Sequence, residues 1–102
     1  MLNNIVLLGR LTRDPELRSV SSGNPVCNFT LAVDRDRSAD GEKVCDFIDC
    51  VAWNRTAEFV NKYFKKGSML AVTGRLQQRK WTDKDGNTHN NHEVAVDTVY
   101  FA

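Results

Sequence analysis

The sequence predicts an all-β fold: a five-stranded barrel with one α-helix between the third and fourth strands. Three observations support this prediction. Short stretches rich in Val, Ile, Phe, Leu and Thr alternate with clusters of Gly, Pro, Asn and Asp that are typical of turns. A single segment instead repeats apolar residues at helical spacing. The length of 102 residues fits one domain, to which we assign the whole chain, 1–102.

The predicted elements follow the chain in the order strand, strand, strand, helix, strand, strand. We expect strands near residues 4–12, 26–36, 44–53, 69–81 and 92–101, and a helix at about 55–66. In the helix, Ala57, Val60 and Phe64 form one apolar stripe. Asn54 is the expected N-cap and Gly67 the expected left-handed C-cap. This order of elements is typical of the OB-fold, a partly open barrel that binds oligomers on one strand face.

The composition excludes several classes of protein. With 41% hydrophobic and 26% charged residues, the chain is ordinary for a globular domain. No apolar run approaches the roughly 18 residues that a membrane span needs. The N-terminus lacks an export signal, and three cysteines are an odd number for a disulfide framework. We therefore expect a cytoplasmic protein without a membrane partner.

The sequence offers no motif for catalysis. It contains no Gly-rich phosphate loop, nucleophile elbow or zinc motif. Cys45 and Cys50 lie five positions apart on one predicted strand, so their side chains point to opposite faces. His89 and His92 are interpreted as ordinary solvated histidines. We therefore expect no enzyme activity, no metal and no cofactor.

Alternation along the third and fourth predicted strands separates two faces, because successive residues of a strand point to opposite sides. One face is apolar and is assigned to the core: Val44, Ile48, Cys50 and Ala52, with Leu70, Val72, Gly74 and Leu76. The other face holds Phe47, Asp49, Val51 and Trp53, with Arg75, Gln77, Arg79 and Trp81. Since the core face is already complete, we expect the large rings of the second face to point outward.

Rings interleaved with cations suit a single strand of nucleic acid. Bases stack on flat apolar rings, and phosphates bind positive charge spaced between those rings. The net charge is only +1, yet residues 51–81 contain seven basic residues against one acidic residue, a local charge of +6. The second face is therefore interpreted as a surface that binds single-stranded nucleic acid.

The sequence resembles the bacterial and phage single-stranded DNA-binding protein family along nearly its whole length. The opening stretch 4–18 contains the signature Gly-x-Leu-x-x-Asp-Pro-Glu-x-Arg, which begins at Gly9. Further matches are 28–33, 66–68, 72–76 and 79–81. The resemblance implies an OB-fold protomer, a homotetramer, and sequence-tolerant binding of single-stranded DNA in replication, recombination and repair. It also implies a nucleoid-associated location in the cytoplasm.

The resemblance also implies roles for individual residues. Base stacking is expected at Phe47, Trp53 and Trp81. Phosphate contacts are expected at Arg55, Lys66, Arg79 and Lys80, to which the strand alternation adds Arg75; further candidate DNA contacts are Arg10, Arg18 and Arg37. Arg37 stands near a position where many family members place another stacking aromatic. Asp49 would repel phosphate on the binding face, so we expect it to pair with Arg75 or Arg79.

The first predicted strand is apolar on both sides, since Ile5 and Leu7 alternate with Val6 and Leu8. Covering its second side requires a partner surface. Pairing of identical edges about a two-fold axis satisfies both copies at once. We therefore expect a dimer through Ile5, Val6, Leu7 and Leu8, which the family resemblance extends to a homotetramer.

Members of the family usually continue into a flexible tail whose acidic, Phe-terminated tip recruits replication and repair proteins. This sequence stops at Ala102, after the last predicted strand. We therefore expect replication and repair proteins as partners only where a tail exists outside this chain.

An alternative function uses the same fold. A short OB protein would serve as a replication-restart adaptor that acts mainly through protein contacts, with Phe47 and Trp53 as interface anchors. Tight binding of the isolated protein to oligo-dT would favour DNA binding, and failure to bind a long single strand at low salt would favour the adaptor.

Overall fold

A computed structural model of the chain describes residues 1–36, 41 and 43–102. This part of the chain contains six strands and one helix. They are β1 (Ile5–Leu11), β2 (Glu16–Ser19), β3 (Pro25–Asp34), β4 (Cys45–Trp53), α1 (Asn54–Tyr63), β5 (Met69–Thr82) and β6 (Thr88–Phe101). No helix in the described residues is long and apolar enough to cross a lipid bilayer.

The strands form one sheet that closes on itself. Its order is β1-β5-β6-β4-β3-β2, and β1 also pairs with β3, so the two sides of the sheet meet. Neighbouring strands are antiparallel except β4 and β6, which run parallel where Cys50 faces Val94 and Val51 faces Ala95. This is the connectivity of a small OB-like barrel with the helix between β4 and β5. The predicted fold class is therefore confirmed.

The barrel is filled by apolar side chains from the strands and from one side of the helix. The largest side chains that are fully buried are Leu31, Leu70, Val26, Val60, Val72, Val94, Cys27 and Cys50. The predicted helix stripe of Ala57, Val60 and Phe64 is confirmed, since all three residues are buried and belong to the core cluster. Burial of these side chains is the main source of stability for the barrel.

The short strand β2 was not among the five predicted strands. Its four residues are all exposed, so they show no apolar alternation. The strand forms because Glu16–Ser19 pairs along the open edge of β3, with Leu17 opposite Cys27. An edge strand of this kind depends on its neighbour's backbone rather than on its own side chains.

Both predicted helix caps are wrong. The helix has Trp53 as its N-cap, and no side chain caps it. Asn54 is the first residue of α1, but its φ of 56° lies in the left-handed region, which the short Asn side chain tolerates. This conformation turns the chain directly from β4 into α1. The helix ends at Tyr63 instead of 66, and Gly67, with φ of 87°, lies in the following turn, where the Ser68 N–H donates to the Lys65 carbonyl.

The last two strands extend beyond the barrel as a hairpin. Strand β6 begins at Thr88 rather than near 92, and Trp81 lies directly opposite His89. The register shifts at Thr73 and Gly74, and β1 begins at Ile5 opposite Gly74. Residues of β5 past this point have no β1 strand beside them. Leu76, which was predicted to be in the core, is therefore exposed.

Strand β1 is only partly covered. It pairs with β5 from Ile5 to Arg10 but with β3 only at Arg10 and Leu11. The remainder of its second edge has no partner strand within the described residues. On its outer side, Val6 and Leu8 are 67% and 54% exposed.

Candidate nucleic-acid interface

A groove of about 310 Å³ runs between the strands β2, β3 and β4 on one side and the β5–β6 hairpin on the other. Its lining is mostly polar and charged: Arg13, Glu16, Arg18, Asn28, Phe29, Thr30, Asp49, Cys50, Arg79, Asn91, His92 and Glu93. Three of these residues are arginines and three are acids, so the groove presents donors and acceptors side by side. A groove of this composition can bind a ligand that carries both negative charge and polar edges.

The rings of β4 point outward, as predicted. Phe47 is 68% exposed and Trp53 is 45% exposed. Alternation places them on the same face as Asp49, which lines the groove. Val51 lies between them but is buried, and its partners in the sheet are Asn28 of β3 and Ala95 of β6.

The third ring, Trp81, lies near the tip of the hairpin and is 42% exposed. It follows Arg79 by two residues and therefore shares a face of β5 with that groove arginine. Its indole stacks on the imidazole of His89 at 4.2 Å between ring centroids, with 18° between the planes. We call Phe47, Trp53 and Trp81 together the ring face.

The predicted cations fall into two groups. Arg18 and Arg79 line the groove, and the Arg18 guanidinium donates to the Asn28 side chain at 3.0 Å. Arg75 is exposed on the same face of β5 as Arg79. Lys80 is also exposed, but alternation places it on the opposite face of the hairpin from Trp81.

The other predicted cations lie away from the groove lining. Arg55 lines a separate cavity of about 250 Å³ between α1 and β6. The Lys66 backbone N–H donates to the Asp14 carboxylate at 2.8 Å, and Arg10 donates to the Gly67 carbonyl at 3.3 Å, so both residues lie around the turn after the helix. Arg37 lies outside the described residues.

Asp49 does not pair with Arg75 or Arg79, and that expectation is wrong. Its carboxylate instead accepts a hydrogen bond from the Thr30 hydroxyl at 3.0 Å. Thr30 is the residue directly opposite Asp49 on β3, so it reaches the carboxylate without any change in the strand. Within the described residues, the Arg35 guanidinium forms an ion pair with Asp46, and the His89 imidazole lies 2.8 Å from the Asp83 carboxylate.

The buried thiols of Cys27 and Cys50 are poor nucleophiles and poor metal ligands in this fold. Burial raises the pKa of the Cys27 thiol to about 11 and that of Cys50 to about 12, so both stay protonated near neutral pH. Among the described residues, no three His, Cys, Asp or Glu side chains come together as a metal site. The groove residues offer hydrogen-bond donors and acceptors and charges of both signs.

Several groove residues were missed by the sequence analysis. Arg13 stands in the segment between β1 and β2, and only the folding of that segment brings it to the groove. Asn91 belongs to the part of β6 that was predicted to be loop. The β5–β6 pairing places Asn91 directly opposite Arg79. A last strand that is extended back toward the hairpin turn therefore brings Asn91 beside this predicted cation.

Comparisons with known proteins agree with this geometry. The model of the single-strand binding protein family matches residues 2–102. The chain belongs to that family. It is 50% identical to the single-stranded DNA-binding protein of Oceanobacillus iheyensis, over 99% of this chain and 63% of the relative. The corresponding protein of Halalkalibacterium halodurans is also 50% identical, over 99% of this chain and 61% of the relative.

A third relative, single-stranded DNA-binding protein 1 of Staphylococcus aureus, is 49% identical over 99% of this chain and 65% of the relative. The chain thus spans slightly less than two thirds of the length of these curated family members. All of the groove and the three rings of the ring face lie inside the matched region.

Proposed function

We propose that residues 1–102 form a single OB-fold domain that binds single-stranded DNA independently of sequence, without catalysis, in replication, recombination and repair. The ring face carries this proposal. Its three large rings are exposed on strands that border a groove with three arginines. Unpaired bases offer flat apolar faces to such rings, and every base has such a face, which accounts for sequence tolerance. The names of the matched relatives support the same ligand.

In this proposal the rings and cations have separate roles. Phe47, Trp53 and Trp81 stack on bases, and each stacked base contributes about 1–3 kcal/mol. The phosphate contacts are Arg55, Lys66, Arg75, Arg79 and Lys80, with Arg10, Arg18 and Arg37 as additional DNA contacts. The exposure of these side chains, where described, supports contact with a long ligand that continues beyond the groove.

Two acidic groups of the groove, Asp49 and Glu93, favour base edges over phosphates as neighbours. Asp49 accepts from Thr30, and Glu93 accepts from the Gln77 amide at 2.9 Å, so each carboxylate is already partly satisfied. Their remaining lone pairs suit the amino groups of bases, whereas a phosphate would be repelled. In this proposal the phosphates therefore lie nearer to the arginines of the groove than to these carboxylates.

The assembly proposed for this domain is a dimer through strand β1, extended to a homotetramer. Ile5, Val6, Leu7 and Leu8 supply the contact. Two observations support it: the outer side of β1 exposes Val6 and Leu8, and part of the strand's second edge has no partner strand within the described residues. A second copy would cover both the side chains and the backbone groups.

The proposed location is the cytoplasm, in association with the nucleoid, because that is where single-stranded DNA is exposed in bacteria. Replication and repair proteins are proposed as partners only through a tail outside residues 1–102. The domain itself binds DNA and further copies of the chain.

The proposal is tested with the isolated chain and a fluorescently labelled dT oligomer, followed by polarisation at increasing salt. We expect tight binding at low salt that weakens as salt rises, because bound cations release counterions from the phosphates. A duplex of the same length is the control and should bind much more weakly, since its bases are already stacked. Failure to bind dT at low salt would contradict the proposal and favour an adaptor that acts through protein contacts.

A further inference from the structure

The Trp81 ring is packed on one side by another residue of the hairpin. His89 lies directly across the β5–β6 pair, and its imidazole covers one face of the indole at 4.2 Å, nearly parallel to it. The indole Nε1–H is also held, since it donates at 3.1 Å to the amide oxygen of Asn91 in the orientation that satisfies both groups. One face and one edge of the ring are thus fixed within the protein.

His89 is in turn held by the hairpin turn. Its Nε2 lies 2.8 Å from the Asp83 carboxylate. The second carboxylate oxygen of Asp83 accepts the backbone N–H groups of Asp85 and Asn87, each at 2.9 Å. These bonds lower the pKa of Asp83 and keep it ionised. One continuous chain of contacts therefore links the hairpin turn to the Trp81 indole, through the Asp83 carboxylate and the His89 imidazole.

From this chain of contacts we infer that His89 is a positioning residue for DNA binding: its ring fixes the plane of Trp81, so that the exposed side of the indole meets a base in the orientation needed for stacking. The inference rests on the proposed function, because it requires Trp81 to be a stacking platform. A ring that is already immobilised loses less conformational freedom when DNA binds, and the affinity rises accordingly.

The same contacts would also stabilise the hairpin as an ordinary cross-strand pair. The two roles differ in what they predict for Trp81. A purely stabilising pair affects the melting temperature but not the affinity of the folded protein for DNA. A positioning residue affects the affinity only while Trp81 is present.

The test uses the Trp53→Phe background, in which Trp81 is the only tryptophan of the chain. The variants are His89→Ala, His89→Phe, Trp81→Ala and the His89→Ala/Trp81→Ala double variant. Affinity is measured by polarisation of a labelled dT oligomer, and the mobility and access of Trp81 by fluorescence anisotropy and acrylamide quenching. Asn90→Ala is the matched control, because Asn90 is the neighbouring residue on the opposite face of the same hairpin.

We expect His89→Ala to weaken dT binding by about two- to tenfold, the range for immobilising one side chain on binding. It should also raise acrylamide quenching and lower the anisotropy of Trp81. His89→Phe keeps a flat ring but loses the bond to Asp83, and should restore most of the affinity. In the Trp81→Ala background, His89→Ala should have no further effect.

The results separate this inference from the proposed function. If Trp81→Ala leaves dT affinity unchanged, the stacking role of Trp81 itself is wrong. If Trp81→Ala weakens binding but His89→Ala does not, only the positioning role is overturned. An equal loss of affinity from His89→Ala with and without Trp81 would show that His89 contacts DNA directly, and this also overturns the positioning role. The positioning role is likewise overturned if His89→Phe folds but does not restore the affinity.

Discussion

The molecule exposes apolar side chains on two faces that differ in their neighbours. On the ring face, Phe47, Trp53 and Trp81 are exposed on strands β4 and β5, and both strands border a groove that contains three arginines. The outer side of β1 and its neighbours, which we call the β1 face, contains Val6, Leu8, Ala71, Thr73 and Tyr100, which the strand register places side by side. The first face has three large rings interleaved with charge, whereas the second is mainly apolar and has Tyr100 as its one ring among these residues.

This difference shows why exposure alone does not identify a partner. Flat rings between cations match unpaired bases between phosphates. Branched aliphatic side chains offer no flat platform for a base, but they pack well against an identical surface, and the open edge of β1 adds unpaired backbone groups to that contact. We therefore propose DNA as the partner of the ring face and a second copy of the chain as the partner of the β1 face.

The largest effect is expected from a charge on the β1 face. Leu8→Asp would bury an unpaired carboxylate in the proposed dimer contact, which costs several kcal/mol and should dissociate the assembly at micromolar concentration. Light scattering after size exclusion measures the mass. Leu17→Asp is the control, because Leu17 is a half-exposed leucine on β2, outside both faces. An unchanged mass for Leu8→Asp would contradict the assignment of the β1 face.

A smaller effect is expected on the ring face. Trp53→Ala and Trp81→Ala each remove one stacking platform and should weaken dT binding by about 5- to 150-fold, as expected for one stacked base. The assembly should keep its mass. Tyr63→Ala is the matched control, since Tyr63 is 52% exposed at the end of the helix but lies on neither face. If the control loses as much affinity as the tryptophan variants, the ring face has no special role.

The smallest effect is expected from a single groove cation. Arg79→Ala should reduce the slope of log affinity against log salt by about 0.7, the value for one phosphate contact on a single strand. Lys62→Ala serves as the comparison, because Lys62 is exposed on the helix and its ammonium lies over the Tyr63 ring. An unaltered slope for Arg79→Ala would remove Arg79 from the phosphate contacts.

The fold and the ring face could largely be predicted from the sequence, because strand alternation depends only on neighbouring residues. Phe47 and Trp53 had to point outward once Ile48, Cys50 and Ala52 were assigned to the core, and the structure places them so. Alternation predicts that Leu76 lies in the core, but this residue is exposed because β5 extends beyond the barrel at that point.

The remaining features depend on contacts between distant segments. Strand β2 forms by pairing with the edge of β3. Arg13 lies in the segment between β1 and β2, and the fold of that segment places it at the groove. The hydrogen-bond partner of Asp49 depends on the β3–β4 register, which places Thr30 opposite it. This register cannot be predicted from the sequence of either strand alone.

The central claim is that the exposed rings are platforms for unpaired bases. Titrating the chain with dT oligomers of increasing length, while following its tryptophan fluorescence, tests this claim most directly. We predict strong quenching that deepens with length until the binding path is filled, and loss of a distinct share of it in Trp53→Phe and in Trp81→Phe. Full binding of dT by polarisation with no change in tryptophan emission would contradict the claim.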